Sequence, residues 1–257
     1  TLSHDFGERW FDFGPWNLAF RVYTEENLYT PDPAACAVRP TADGWLIQAD
    51  RFAWAGGQQH AEGRFTARVE RLQDGLAWTV EAGLNRRIKT LSAFVRGIPF
   101  GEVLDHRLRF SPLQPGVNDV LAYPTAARLP VFGVRSSTGD CTVLVSDDEQ
   151  VRGKTAAFLP EADGLLVEVH HHEDARRWST RAAAPGWRLL RRPDAAEAVR
   201  LRMDIMERRW GLRPWEERPD VPEWARRVCL VLNLHGAYWS GFVFNTYERQ
   251  AAILRHV

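Results

Sequence analysis

Arg64-Phe65-Thr66-Ala67-Arg68-Val69-Glu70 is followed, eight residues on, by Trp78-Thr79-Val80-Glu81-Ala82. Apolar and polar residues alternate one for one through both runs. Side chains on a strand point to opposite faces in turn, so this period places one face in a core and the other toward solvent or a second layer. Between the runs stands Asp74-Gly75, the pair that a two-residue hairpin turn prefers. The stretch predicts an antiparallel hairpin with one buried face.

The same period spreads outward along the chain. Trp16, Leu18, Phe20 and Val22 alternate with Asn17, Ala19, Arg21 and Tyr23. Further strands are expected at 45–49, 88–95, 131–136, 141–146 and 165–171. Thr138-Gly139-Asp140, Asp163-Gly164 and Pro185-Gly186 are read as turns between them. Many short strands at this spacing predict a mainly β fold, a large sandwich over residues 1–206. At 199–205, Val199, Leu201, Met203 and Ile205 alternate with Arg200, Arg202 and Asp204, which favours a strand. A helix is the competing reading, because Asp194 and Glu197 have the spacing of a capping box.

Residues 207–224 change character. Three prolines and several charges argue for a linker. Beyond it, Val228-Cys-Leu-Val-Leu-Asn-Leu234 is apolar nearly throughout, as a strand covered on both faces would be. The segment from Asn245 or Thr246 has helical spacing. Asn245 is a candidate cap with Glu248 three residues on, and Tyr247, Ala251 and Leu254 fall on one face. Strand, loop and helix together make residues 225–257 look like the first β/α unit of a TIM barrel, a fold of about 250 residues whose remainder lies outside this sequence.

Lysine and arginine together number 33, and so do aspartate and glutamate, so the formal net charge is zero. That gives no excess of positive charge to hold nucleic acid or an anionic membrane. No apolar run reaches the ~18 residues of a membrane-spanning helix. Arg86-Arg87, Arg176-Arg177, Arg191-Arg192 and Arg226-Arg227 are dispersed and read as charged edges. Cys36, Cys141 and Cys229 are scattered and suggest small buried side chains, not a zinc site or a disulfide framework. Eleven Trp residues serve first as core, and a few could line a sugar-binding cleft.

Two passages carry a resemblance. Leu76–Asn85 followed by Ile88–Phe100 resembles the strand pair of galactose-mutarotase-like β-supersandwiches, although Arg86-Arg87 interrupts the pattern. Arg218-Pro-Asp-Val-Pro-Glu-Trp224 with the run Val228–Leu234 resembles the start of the catalytic barrel in glycoside hydrolases that carry such a supersandwich at the N-terminus, the α-galactosidase and raffinose-synthase type. The resemblance implies the N-terminal portion of a carbohydrate-active enzyme. Its partners would be a carbohydrate substrate and the rest of the barrel, and it would need no cofactor.

In such barrels the working groups sit at the C-terminal strand ends. There the resemblance places Asn233 and His235, which can hydrogen-bond sugar hydroxyls, and Trp239, which can stack on a sugar face. Equally, these three could tie down the loop. Glycosidases need two carboxyl groups about 5–5.5 Å apart or about 6.5–9.5 Å apart. Asp220 and Glu223 precede the barrel strand and Glu248 belongs to a helix cap, so no catalytic carboxylate is assigned. Glu168, His170 and His172 share one strand face, read as a solvated surface and not a metal site. A mutarotase-type epimerase would need a His acid beside a carboxylate base. His60, His106 and His170, with Glu62, Glu102 or Glu168, are the candidates for that alternative. The other alternative is a non-catalytic carbohydrate-binding module.

Overall fold

A computed structural model describes residues 7–192, 194–227, 236–237 and 240–255. They form two compact units, the first running through Gly211 and the second beginning at Leu212. The first is mainly β and contains fifteen strands. These are β1 (Phe11–Asp12), β2 (Asn17–Thr24), β3 (Leu28–Pro31), β4 (Cys36–Pro40) and β5 (Gly44–Trp54). Next come β6 (Gln59–Leu72), β7 (Gly75–Ile98), β8 (Gly101–Leu104), β9 (Phe110–Pro112) and β10 (Val120–Tyr123). The last are β11 (Val131–Ser136), β12 (Cys141–Ser146), β13 (Lys154–Pro160), β14 (Leu165–His172) and β15 (Ser179–Arg192). Helix α1 (Ala195–Trp210) closes the unit.

The expected hairpin is present, one residue out of register with expectation. Leu72 pairs with Gly75, so Gln73 and Asp74 make the turn and Gly75 begins β7. Glycine is needed there because a Cβ at Gly75 would fall 1.9 Å from the Leu189 carbonyl oxygen. The strand pair expected over 76–98 is instead the single strand β7, 24 residues long. Its first half lies between β6 and β15, and its second half between β2 and β14. The charged step Asn85-Arg86-Arg87 is the crossing point and not a break, because the backbone continues in extended form while its neighbours change.

This crossing builds the sandwich. β2, β3, β5, β6 and β7 pair in a closed circuit around Phe20, Phe52 and Phe65. From β7 two arms diverge, β14–β13–β10 and β15–β12–β11–β8–β9, all antiparallel. Phe132, Leu144, Phe158, Val167 and Trp187 belong to the same buried core. β12 is buried at every position, as a strand covered on both faces should be. Leu144 joins the main core, while Cys141, Val143 and Val145 join a second cluster with Ala198 of α1.

Two local expectations are corrected. Residues 199–205 are helix, not strand. Asp194 accepts a hydrogen bond from the Glu197 amide (3.0 Å), and Gly211 ends the helix at φ 59°. Ala198 and Arg202, four apart, are the buried positions, whereas Met203 of the alternating set is 40% exposed. Cap and helical stripe outweigh the alternation. Pro185-Gly186 is not a turn but an irregularity inside β15, where the register with β7 shifts between Ala184 and Trp187.

The second unit contains α2 (Glu223–Arg226) and α3 (Tyr247–Leu254). Arg226 donates to the carbonyls of Glu216 (3.1 Å), Arg218 (2.6 Å) and Val221 (3.3 Å), fastening the turn before α2. Thr246, not Asn245, caps α3 by accepting from the Arg249 amide. The expected strand at 228–234 lies outside the described residues. No helix among the described residues is long and apolar enough to cross a membrane.

Candidate functional site

Strand parity on β14 separates two kinds of chemistry. Leu165, Val167 and Val169 enter the main core, and His171 follows them inward. Glu168, His170 and His172 project from the other face, the one also formed by Arg21 and Tyr23 of β2 and by Thr90, Ser92 and Phe94 of β7. The register fixes these neighbours: Glu168 pairs with Phe94, His170 with Ser92 and His172 with Thr90, while Arg21 pairs with Ser92 on the far side.

His170 is the centre of this face. Its Nδ1 hydrogen-bonds with Ser92 Oγ at 2.6 Å, and its Nε2 lies 3.4 Å from Glu168 Oε2. Tyr23 and Phe94 present ring edges to it at 5.8 and 6.3 Å, and His172 stacks beside it at 5.9 Å. The His170 and Glu168 side chains each keep 13% of their surface exposed, so the pair is enclosed but reachable. The order Ser–His–Glu is not a nucleophilic triad. Ser92 is 1% exposed, in mid-strand, where no oxyanion-binding amides are free of the ladder.

The remaining groups are held in place. His172 hydrogen-bonds through Nδ1 with Thr90 Oγ1 (2.9 Å) and through Nε2 with Thr155 Oγ1 (2.8 Å). Burial, with His170, His171 and Lys154 nearby, lowers its pKa to about 4 and keeps the ring neutral. Both nitrogens being engaged, His172 offers no free lone pair to a metal shared with His170. Arg21 donates to Glu8, with both side chains buried, and its guanidinium lies 4.0 Å from the centre of the Phe94 ring. Burial raises the Tyr23 phenol above its ordinary pKa, although its hydrogen bond with Arg21 opposes this. The result is a fixed imidazole with a carboxylate partner, a protonated phenol and an aromatic wall.

The inward face of the same strand is closed. Asp148 accepts from Arg152 Nε and Nη2 (2.9 Å each) and from Lys154 Nζ (2.6 Å), and the Asp148 and Lys154 side chains are fully buried. Burial pushes the Asp148 carboxyl up, but the bonds from Arg152 and Lys154 prevail and hold it below the usual range. His171, opposite Lys154 in register, is fully buried with Nε2 3.4 Å from Glu173 Oε1. Burial lowers its pKa against the opposing pull of Glu173. Arg202 reaches in from α1 to donate to the Ser146 carbonyl at 3.1 Å.

Of the three histidines named as acid candidates, only His170 meets its carboxylate. His60 lies 3.0 Å from Asp32, not Glu62. His106 sits in an exposed turn, and Glu102 is paired with Arg135. Asn233, His235 and Trp239 lie outside the described residues. The part of the site that sequence reasoning missed is Arg21, Tyr23 and Glu8. The alternation of Arg21 and Tyr23 in β2 was legible, but the pairing of β2 beside β14 across β7 was not.

No protein-family model matches this chain, and no curated protein matches it significantly. Among solved structures it is similar to an α-N-acetylgalactosaminidase from Bifidobacterium bifidum, determined as a GalNAc complex, at 13% identity and a TM-score of 0.48. That match covers 78% of this chain and 39% of the other, so the chain spans well under half of its length.

Proposed function

We propose that this chain is the N-terminal portion of a carbohydrate-active enzyme of the glycoside-hydrolase kind. In this reading the β unit is a galactose-mutarotase-like supersandwich that braces a catalytic barrel. Residues 225–257 are the barrel's first β/α unit, with Asn233, His235 and Trp239 at its strand end. The observation that carries the reading is the state of α3, a capped, amphipathic helix with no buried residue. Tyr247 is 86% exposed and Leu254 55%, and Trp224, Phe242 and Val243 are also uncovered. Apolar surface gathered in one small unit calls for covering by further structure, and neighbouring β/α units would supply it. The Glu168–His170–Tyr23 face then adds hydrogen-bonding groups and ring edges suited to sugar hydroxyls.

Two measurements test this. Amides of α3 should exchange with deuterium far faster than those of β7 in the purified protein. Protection of α3 equal to that of β7 would show a helix already in its final environment and would remove the barrel reading. With a panel of aryl glycosides the same protein should show no turnover, and measurable turnover would place the catalytic pair within these residues.

A mutarotase-type reading has one specific observation in its favour, the His170 Nε2–Glu168 contact. The imidazole could protonate a ring oxygen while the carboxylate took the anomeric hydroxyl proton. Anomer interconversion of hexoses no faster than in buffer would discard it. Acceleration lost in Glu168→Gln would establish it.

A further inference from the structure

Away from the His170 face, the turn between β1 and β2, the start of β5 and the β6–β7 hairpin border an open hollow of about 680 Å³. Two tryptophans stand in its wall, each with an arginine over its ring. Arg71 Cζ lies 4.9 Å from the Trp45 ring centre, and Arg191 Cζ lies 5.3 Å from that of Trp16. Trp45 also packs against Phe13, ring centre to ring centre 4.7 Å. Neither arginine has a carboxylate partner among the described residues. Of the acids in the lining, Asp74 is paired with Arg192, while Asp12 accepts from the Gly14 amide at 2.9 Å and keeps its charge.

A guanidinium laid on an aromatic ring is held in plane, so less freedom is lost when its fork meets a carboxylate. Two such forks border one hollow, neither in an ion pair among the described residues, and with Asp74 answered by Arg192 only Asp12 stands against them, so they can take an anion. Trp45, partly exposed beside them, favours an anion carried on a ring with an apolar face. Two further hollows share residues with it. Trp45 and Arg71 border a second hollow of about 420 Å³, and Arg191 borders a third of about 650 Å³. A chain of linked units fits such a row better than a single small ion.

We propose that Arg71 and Arg191, backed by Trp45 and Trp16, form a binding site for an acidic oligosaccharide, with the carboxylate of a uronic-acid unit taken by one or both forks. That the anion is borne on a sugar rests on the carbohydrate reading above, whereas the demand for negative charge rests on the two arginines alone.

The test is calorimetric titration of the purified protein with trigalacturonate, with a sulfated heparin-derived tetrasaccharide and with neutral maltotriose. Trigalacturonate should bind most tightly and weaken as salt is raised. Arg71→Gln and Arg191→Gln should each reduce its affinity about tenfold or more. Both residues are exposed, so unchanged thermal unfolding will confirm that the variants fold. Tighter binding of the sulfated sugar, equal binding of maltotriose, or indifference to both substitutions would overturn the proposal. If maltotriose binds and is lost in His170→Ala while trigalacturonate does not bind, this site fails and the carbohydrate reading stands. Binding of free glucuronate and acetate as tight as that of trigalacturonate would keep the anion but overturn the oligosaccharide.

Discussion

Consecutive residues of β14 live in opposite worlds. His171 points into a cluster where Asp148, Lys154, Arg152 and Glu173 answer one another out of solvent. His170 and His172 point to a face where polar groups are held in position but His170 and Glu168 remain reachable. The difference teaches how to separate polar residues that hold a fold from those that wait for something. In the closed cluster, removing one charge strands another. On the open face, Glu168 and His170 already touch water, so removing either leaves the other within its reach.

The sharpest way to break this comparison is Asp148→Asn. It leaves buried Lys154 and partly exposed Arg152 without their counter-charge, and loss of about 3–5 kcal/mol is expected in urea unfolding. A loss under about 1 kcal/mol would show the cluster to be wetter than its geometry. Acid comes next. His172 ordinarily titrates at 6.5 but at about 4 in the fold, and His171 is lowered in the same direction. Their neutral forms therefore stabilise the fold fully above about pH 6.5. That contribution falls as pH drops toward 4, because the unfolded chain takes the protons first. Asp148, lowered from 3.8, adds a second decline below that pH. Unfolding midpoints measured from pH 7.5 to 3 should show two descending stretches, and His172→Gln should flatten the first.

A smaller effect is expected for His172→Ala at pH 7. It costs two hydrogen bonds, about 1–2 kcal/mol. Smallest of all, His170→Gln and Glu168→Gln should each change stability by less than about 1 kcal/mol. A large loss at either position would make the open face structural after all.

Much of this was legible in the sequence, for local reasons. Alternation set the faces of β6, β14 and the start of β7, and so placed Glu168, His170 and His172 together before any contact was known. Thr138-Gly139-Asp140 and Asp163-Gly164 marked turns because their chemistry is self-contained. What stayed hidden is non-local. Arg21 meets Phe94 only once β2 and β7, far apart in sequence, have paired. The helix at 195–210 was obscured because Val199 to Ile205 satisfies both periods. Its cap at Asp194 held the deciding information.

The long strand β7 has a consequence in time. Trp78 must find Trp187, roughly a hundred residues downstream, and the other half of the strand must already lie beside β2, far upstream. Pairings of such sequence separation are slow to form, because loop closure must come before any contact rewards it. During synthesis β7 emerges with β2 and β6 available but β14 and β15 still unmade, so a strand edge stays open until the ribosome has delivered them. Folding of this unit should therefore be late, all at once, and sensitive to anything that delays the arrival of β15.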